Sequence, residues 1–304
     1  WRPRPPPSPS DELSDVPLVE AAPAKVNLAL HVTGRRADGY HELESLVVFA
    51  GVADEIVARR ADIDRLKVTG PFAAAAGSGD ANLVSRAVAA FRARWPEHVP
   101  FGLDIALHKN LPVAAGLGGG SADAAAALRM MVQMSADQVS PAELAQLALS
   151  LGADVPACLG TGPCEVRGVG EIVHRLKRFP TCHIVLVNPL VPVVTADVFR
   201  RLEKRANDPL PQLPQPLTRP AQLGIWLHET RNDLEPPAIT LVPAIATLIA
   251  RMAAVEGCIL ARMSGSGGTV FGLFGSASRA HQAAHDLREA FPGYWVAAAP
   301  VLDA

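Results

Sequence analysis

The chain has 304 residues, 49% of them hydrophobic and 19% charged, with a formal net charge of −2. At about 150 residues per domain it is long for one core, so two domains are expected. The charge balance argues against a nucleic-acid or anionic-membrane surface, which needs concentrated Lys and Arg, and no apolar run approaches the roughly 20 residues of a membrane helix. What remains is a small-molecule partner, with no nucleic acid and no membrane, and a cytoplasmic location is expected because no charged-then-apolar start is present. The four cysteines, Cys158, Cys164, Cys182 and Cys258, form no Cys-x-x-Cys pair and no metal-ligand rhythm with histidine, so they are expected to be reduced, buried thiols.

Residues 1–16, with five prolines in the first ten, are expected to form a disordered tail. From Pro17 the pattern alternates and then runs apolar through 25–32, a strand; 35–39 is a polar turn and 43–49 a second strand. Residues 56–58 and 66–68 read as short strands, 82–95 as a helix by apolar spacing, and 103–107 as a strand. That strand leads into Leu111-Pro112-Val113-Ala114-Ala115-Gly116-Leu117-Gly118-Gly119-Gly120-Ser121.

Four glycines in the five positions 116–120 let the backbone bring N–H groups close to a ligand, Ser121 is a good N-cap for the following helix, and a helix N-terminus there favours an anion. A dinucleotide fingerprint would need glycine at Ser121, and a Walker A loop would end in Gly-Lys-Ser/Thr. Neither is present. Alone, the loop would serve equally well as a flexible connector between strand and helix.

Helices follow at 122–134 and after Ser140-Pro141-Ala142-Glu143, whose serine, N1 proline and N3 glutamate are helix-start signals. Then come a strand at 183–187, a helix at 195–205 and a proline-rich segment at 209–220 that reads as a long surface loop. The order ends helix (239–254), strand (258–262), glycine turn (264–268), strand (269–274), helix (277–291), strand (294–299), a small α+β layer with helices on one face.

Three further places carry chemistry suited to phosphoryl transfer. Lys25 sits in the otherwise apolar Pro23-Ala24-Lys25-Val26-Asn27; Asp154 follows Gly152 in an apolar setting; and Met263-Ser264-Gly265-Ser266-Gly267-Gly268 is a second glycine loop. Singly, these read as an edge charge, a helix-terminus or turn carboxylate and a tight hairpin. Jointly, two glycine loops with one lysine and one aspartate at the ends of regular elements resemble the GHMP kinase superfamily, whose three motifs look like 23–27, 111–124 and 262–268 in that order. Within it the chain resembles the branch acting on 4-diphosphocytidyl-2-C-methyl-D-erythritol in the non-mevalonate isoprenoid route. That likeness rests on Arg35-Arg36-Ala37-Asp38-Gly39-Tyr40-His41-Glu42-Leu43, on 152–156 and on Arg231-Asn232-Asp233-Leu234-Glu235, and it extends from about 20 to 300.

The resemblance implies an α+β, two-domain fold: an ATP-binding mixed α/β domain over 17–170, similar to domain 2 of ribosomal protein S5, and a ferredoxin-like domain over 171–304, with the site in the cleft between them. It implies an ATP- and Mg²⁺-dependent phosphotransferase with an alcohol acceptor, monomeric or weakly dimeric. Lys25 and Asp154 correspond to the catalytic pair. Pro112, Gly116, Leu117, Gly118, Gly119, Gly120 and Ser121 would hold the ATP phosphates, with Ser121 on Mg²⁺ directly or through water. Asn82 and Lys109 would lie near adenosine. Tyr40 and Phe199 would cover the two faces of a cytosine with His41 on its polar edge, and Asn27 and Thr195 would reach the sugar, phosphate or erythritol.

The chain departs from the branch at 190–195, Leu-Val-Pro-Val-Val-Thr, where glycine and serine are more usual. Rival readings are another GHMP kinase acting on mevalonate, phosphomevalonate, homoserine or a sugar, and a nucleotide-binding regulator without catalysis. A dinucleotide-dependent oxidoreductase would place its glycine loop after the first strand.

Overall fold

The computed structural model describes residues 16–303, so the tail expected over 1–16 lies, apart from Val16, outside the described residues. Two long strands, β1 (Leu18–Arg35) and β2 (His41–Ala61), form an antiparallel hairpin that organises the first sheet. Along its other edge β2 pairs with β4 (Gly102–His108) through 55–61 and with β5 (Cys164–Gly168) through 43–47; β3 (Arg65–Thr69) runs parallel to β4, and β6 (Ile172–Arg175) pairs with β5. The strands expected at 43–49 and 56–58 are therefore one. The β5–β6 hairpin was not anticipated, and the domain boundary expected at 170 falls inside it, so the first sheet runs to Arg175.

Helices α1 (Leu83–Arg94), α2 (Gly119–Met134) and α3 (Pro141–Leu151) pack with this sheet and the short α4 (Val155–Cys158) around one core cluster. Ala122, Ala124, Ala125, Ala126 and Ala127 of α2 are all buried, and such small side chains let the helix lie close against β1. Residues 22–32 of β1 are buried on both faces, because the C-terminal half covers the side that α2 does not. A charge at position 25 is thus sealed into the middle of the molecule.

The second sheet has the order β10-β7-β9-β8, built from β7 (His183–Asn188), β8 (Cys258–Met263), β9 (Val270–Phe274) and β10 (Trp295–Pro300), all antiparallel. This is the ferredoxin-like order, with α9 (Ala277–Ala290) between β9 and β10 and four helices inserted between β7 and β8. The inserted helices are α5 (Thr195–Arg200), α6 (Pro220–His228), α7 (Glu235–Leu241) and α8 (Ala244–Ala253). The single helix expected over 239–254 is broken by Pro243, and Val242 before it takes an extended φ of −134° and ψ of 86°. The helix expected to reach 205 stops at Arg200.

The segment 209–220 is not a surface loop: Leu213 and Leu217 are buried in the core shared by the two halves, and Trp226 Nε1 donates to the Pro211 and Gln212 carbonyls. Pro220 opens α6 rather than closing a linker, with the Gln222 side chain accepting from the Arg219 N–H at 3.1 Å. Three of the cysteines are buried as expected, Cys258 only partly, and all four are free thiols. No described helix is long and apolar enough to cross a membrane.

Candidate active site

Two glycine loops from opposite halves of the molecule meet. The first, 111–121, passes from β4 into α2; Gly116 has φ 74°, and a Cβ there would stand 2.3 Å from the Ser264 carbonyl of the second loop. Ser264 locks the contact, its hydroxyl donating to the Gly116 carbonyl at 2.8 Å while accepting the Asn27 N–H at 3.2 Å. The Thr269 N–H adds a bond to the Ala115 carbonyl at 3.0 Å. Only a residue without a side chain permits so close an approach.

The N-cap of α2 is Gly118, in left-handed conformation at φ 59°, and not Ser121, which lies inside the first turn. No side chain caps this end. The first intrahelical bond runs from the Ala122 N–H to the Gly118 carbonyl at 2.8 Å, so the N–H groups of Gly119, Gly120 and Ser121 are not used by the helix. These three residues line a cavity of about 390 Å³ together with Pro112, Gly116, Gly118, Asn82 and Lys109, which fits the expected phosphate cradle. Leu117 does not line it: its side chain is buried in the shared core, and only its carbonyl serves the site, accepting the Lys25 N–H at 2.9 Å.

Lys25 and Asp154, which sequence placed 129 residues apart, form an ion pair of 2.9 Å. The Lys25 side chain is 5% exposed and that of Asp154 49%. Burial drives the Lys25 pKa down, but the attraction and hydrogen bond of Asp154 outweigh it, leaving it raised above 10.5. Asn27, two residues along the same face of β1, accepts from Lys25 Nζ at 3.2 Å and donates to the Ser45 hydroxyl at 2.7 Å. Asp154 caps no N–H of α4, so the helix-terminus role that its position suggested is unfilled.

A second cavity, of about 690 Å³, opens on the other side of Asp154 and is lined by Tyr40, His41, Thr195 and Phe199 among others. Asp154, Ser121 and Thr195 border both cavities. Phe199 stacks against His41 with ring centroids 4.6 Å apart, while Tyr40 stands 61% exposed at the rim. One face of the Phe199 ring is thus covered by the His41 ring. His41 Nε2 is buried without a partner, and burial followed by the nearby Arg35 and Arg205 lowers the pKa of the ring. Arg36 holds the preceding turn through Glu42 and, at 2.8 Å, Glu171.

Sequence reading missed a buried triad beneath the first loop. Lys109 Nζ is shared by Asp54 and, at 2.6 Å, Asp123. Lys109 borders this first cavity, but its ammonium is taken up by these carboxylates. Asp54 also accepts the N–H groups of Asn110 at 2.6 Å and Leu111 at 2.9 Å, fixing the entry to the glycine loop. Burial, reinforced by Asp54 and opposed by Lys109, pushes Asp123 up to about 7, and its Oδ1 has no partner. Asp123 had a visible signal, as the lone carboxylate in an alanine run. Asn82 caps α1, accepting the Val84 N–H at 2.9 Å, and lines the cavity as well. The 231–235 motif proves to be scaffolding: Asn232 holds the Met263 and Gly265 carbonyls, and Asp233 accepts the Val32 N–H.

Known proteins share this arrangement. The model for the GHMP kinases N terminal domain matches 82–162 and that for the GHMP kinases C terminal domain matches 213–293. Curated 4-diphosphocytidyl-2-C-methyl-D-erythritol kinases are similar over nearly the whole chain. That of Chelativorans sp. (strain BNC1) is 45% identical and that of Agrobacterium fabrum 47%, each over 91% of this chain and 94% of the relative. A crystal structure of 4-(cytidine 5'-diphospho)-2C-methyl-D-erythritol kinase superposes with TM-score 0.77 at 35% identity, covering 94% of this chain and all of that one. Homoserine kinase from Cytophaga hutchinsonii, at TM-score 0.67 and 17% identity, shares the fold alone. The chain belongs to the GHMP kinases and, within them, to the 4-diphosphocytidyl-2-C-methyl-D-erythritol kinase family.

Proposed function

We propose that the protein transfers the γ-phosphoryl group of ATP to the 2-hydroxyl of 4-diphosphocytidyl-2-C-methyl-D-erythritol, giving the 2-phosphate and ADP in the non-mevalonate isoprenoid route. The observation that carries this is the Lys25–Asp154 pair at the junction of two cavities, one edged by the unused N–H groups of α2 and the other by Tyr40, His41 and Phe199. A donor phosphate and an acceptor hydroxyl entering from opposite sides meet at Asp154.

Asp154 accepts the proton of the acceptor hydroxyl as its oxygen attacks phosphorus. One of its oxygens is engaged by Lys25, which orients the carboxylate and offsets charge gathering on the transferring group. Asn27 steadies Lys25 from its own strand. The N–H groups of Gly119, Gly120 and Ser121 hold phosphate oxygens, and the positive end of the 16-residue α2 adds to their pull. Asn82 and Pro112 border the adenosine end. A pyrimidine between Tyr40 and Phe199 takes the place of the His41 ring on Phe199, and His41 Nε2, buried without a partner, then gains one on the base edge. Thr195, at the edge of both cavities, contacts the sugar or erythritol portion.

Mg²⁺ fits the donors present: the Ser121 hydroxyl and the Asp123 carboxylate, with an unpartnered Oδ1, belong to the phosphate cavity, and with ATP oxygens they form an all-oxygen set. Bound there, the ion would neutralise phosphate charge. Use of ATP and four free thiols suits the cytoplasm. The test is ADP release with ATP and Mg²⁺, comparing the cytidyl substrate with mevalonate and homoserine. Turnover confined to the cytidyl substrate supports the proposal, and turnover with another acceptor overturns it.

A further inference from the structure

The second cavity carries more positive charge than the proposed reaction has so far used. Arg35, Arg200 and Arg205 line it, and Asp154 is the only carboxylate among its lining residues. Arg200 is taken up by Asp197. Arg35 and Arg205 are not: their recorded bonds are from Nε to backbone carbonyls, to Gly39 at 3.3 Å and to Leu202 at 3.4 Å, and among the described residues neither meets a carboxylate. Each guanidinium therefore keeps most of its five N–H donors free.

The two arginines come from separate elements, the end of β1 and the segment after α5, yet both act on one group. Each disfavours a positive charge on His41, which places both fields at the same wall of the cavity. Two like charges held near each other without an anion are costly, and a doubly charged ligand with several acceptor oxygens relieves that cost. In the acceptor substrate the diphosphate joins the base to the methylerythritol. With the base at Tyr40, His41 and Phe199 and the hydroxyl at Asp154, the linking diphosphate runs along the cavity that the arginines border.

We propose that Arg35 and Arg205 clamp the diphosphate of the acceptor substrate and so select a nucleoside diphosphate over an uncharged nucleoside. This rests on the cytidyl-substrate proposal above. Arg is suited to the task because its planar fork meets two phosphate oxygens at once, where lysine offers a point charge.

The test uses Arg35→Gln, Arg205→Gln and the double variant, with KM and kcat for the cytidyl substrate and direct calorimetric binding of CDP and of cytidine. Each single change is expected to weaken CDP and raise KM about tenfold, and the double change about a hundredfold, from charge-assisted hydrogen bonds lost at a partly exposed site. Cytidine binding stays within twofold and kcat within threefold. The wild-type KM rises with salt and that of the double variant rises less. Equal weakening of CDP and cytidine, or unchanged CDP binding, overturns the clamp. Wild-type protein that binds CDP through the arginines but does not turn over the cytidyl substrate would sink the reaction and leave the clamp standing; wild-type protein that does not bind CDP sinks the clamp.

Discussion

Asp154→Asn isolates the chemistry of the carboxylate from its shape. The amide fills the same volume and can still accept a hydrogen bond from Lys25, but it takes up no proton. A positioned base contributes about 10²–10⁴ in rate, so the barrier rises by roughly 3–5.5 kcal/mol. The effect on folding is separable. Removing one partner of a buried pair costs about 3–5 kcal/mol when both charges are sealed in. Here the Asp154 side chain is 49% exposed, and Asn27 Oδ1 at 3.2 Å remains for Lys25. Solvent screening therefore reduces the loss to about 1–2 kcal/mol. For a chain of this size that is a fall in melting temperature of about 1.5–3 °C.

The assay is coupled ADP release under saturating ATP and Mg²⁺, with thermal melts on the same preparations. A kcat loss of two to four decades with the KM of both substrates within threefold is expected. If kcat stays within fivefold of wild type, Asp154 is not the base and the reasoning fails. If activity is lost only because the ammonium is stranded, the double variant Lys25→Met/Asp154→Asn recovers stability and activity together; stability recovered without activity is the outcome that assigns the chemistry to the pair.

Three further changes probe the scaffold. Gly118→Ala forces a left-handed φ on a residue with a side chain and sets its Cβ 2.9 Å from Lys25 Cε, so about 1–2 kcal/mol of stability and a raised KM for ATP are expected, measured by urea unfolding and initial rates. Ser264→Ala leaves the Gly116 carbonyl and the Asn27 N–H without their partner where the loops meet, costing about 1–3 kcal/mol in the same unfolding assay; a loss below 0.3 kcal/mol refutes the locking role. His31 is fully buried, with Nδ1 donating to the Asp208 carbonyl at 2.9 Å and Nε2 accepting the Arg231 N–H at 3.1 Å, so the ring is held neutral and, from burial first, its pKa is lowered. The unfolded chain then binds the proton more readily than the folded one, so stability is full above about pH 6.5 and falls as pH drops below it. The urea midpoint should fall more between pH 7.5 and 5 in wild type than in His31→Gln, and an equal fall excludes His31 as the cause.

Periodicity reveals a strand or helix when one face is apolar, and α1, β4 and α9 were legible on that ground. It fails where tertiary packing decides. The β5–β6 hairpin mixes polar and apolar residues because β6 lies at a sheet edge and is largely exposed. Pro209 to Pro220 has the composition of a linker, yet its leucines are spaced to dip into the core between the halves, a contact with no local signature. The helix expected over 239–254 gave way to Pro243, whose chemistry was visible but was outvoted by the apolar spacing on either side.

The site divides the same way. The glycine loop announced itself because so close an approach of backbone requires residues without side chains. Asp54 and the Lys109 triad did not, since a carboxylate within a strand reads as an exposed charge until the lysine that neutralises it is seen 55 residues away. Lys25 shows why the motifs belong together although they are scattered along the chain. Its strand donates the Lys25 N–H to the Leu117 carbonyl of the first loop and the Asn27 N–H to Ser264 of the second, while the Leu30 N–H reaches the Arg231 carbonyl. β1 is therefore the common ruler for both glycine loops and the Lys25–Asp154 pair, and a slip of one residue in its register would turn Lys25 and Asn27 away from Asp154. Burial of β1 on both faces is what fixes that register, so the apolar run that marks the strand in the sequence is also what holds the Lys25–Asp154 pair in place.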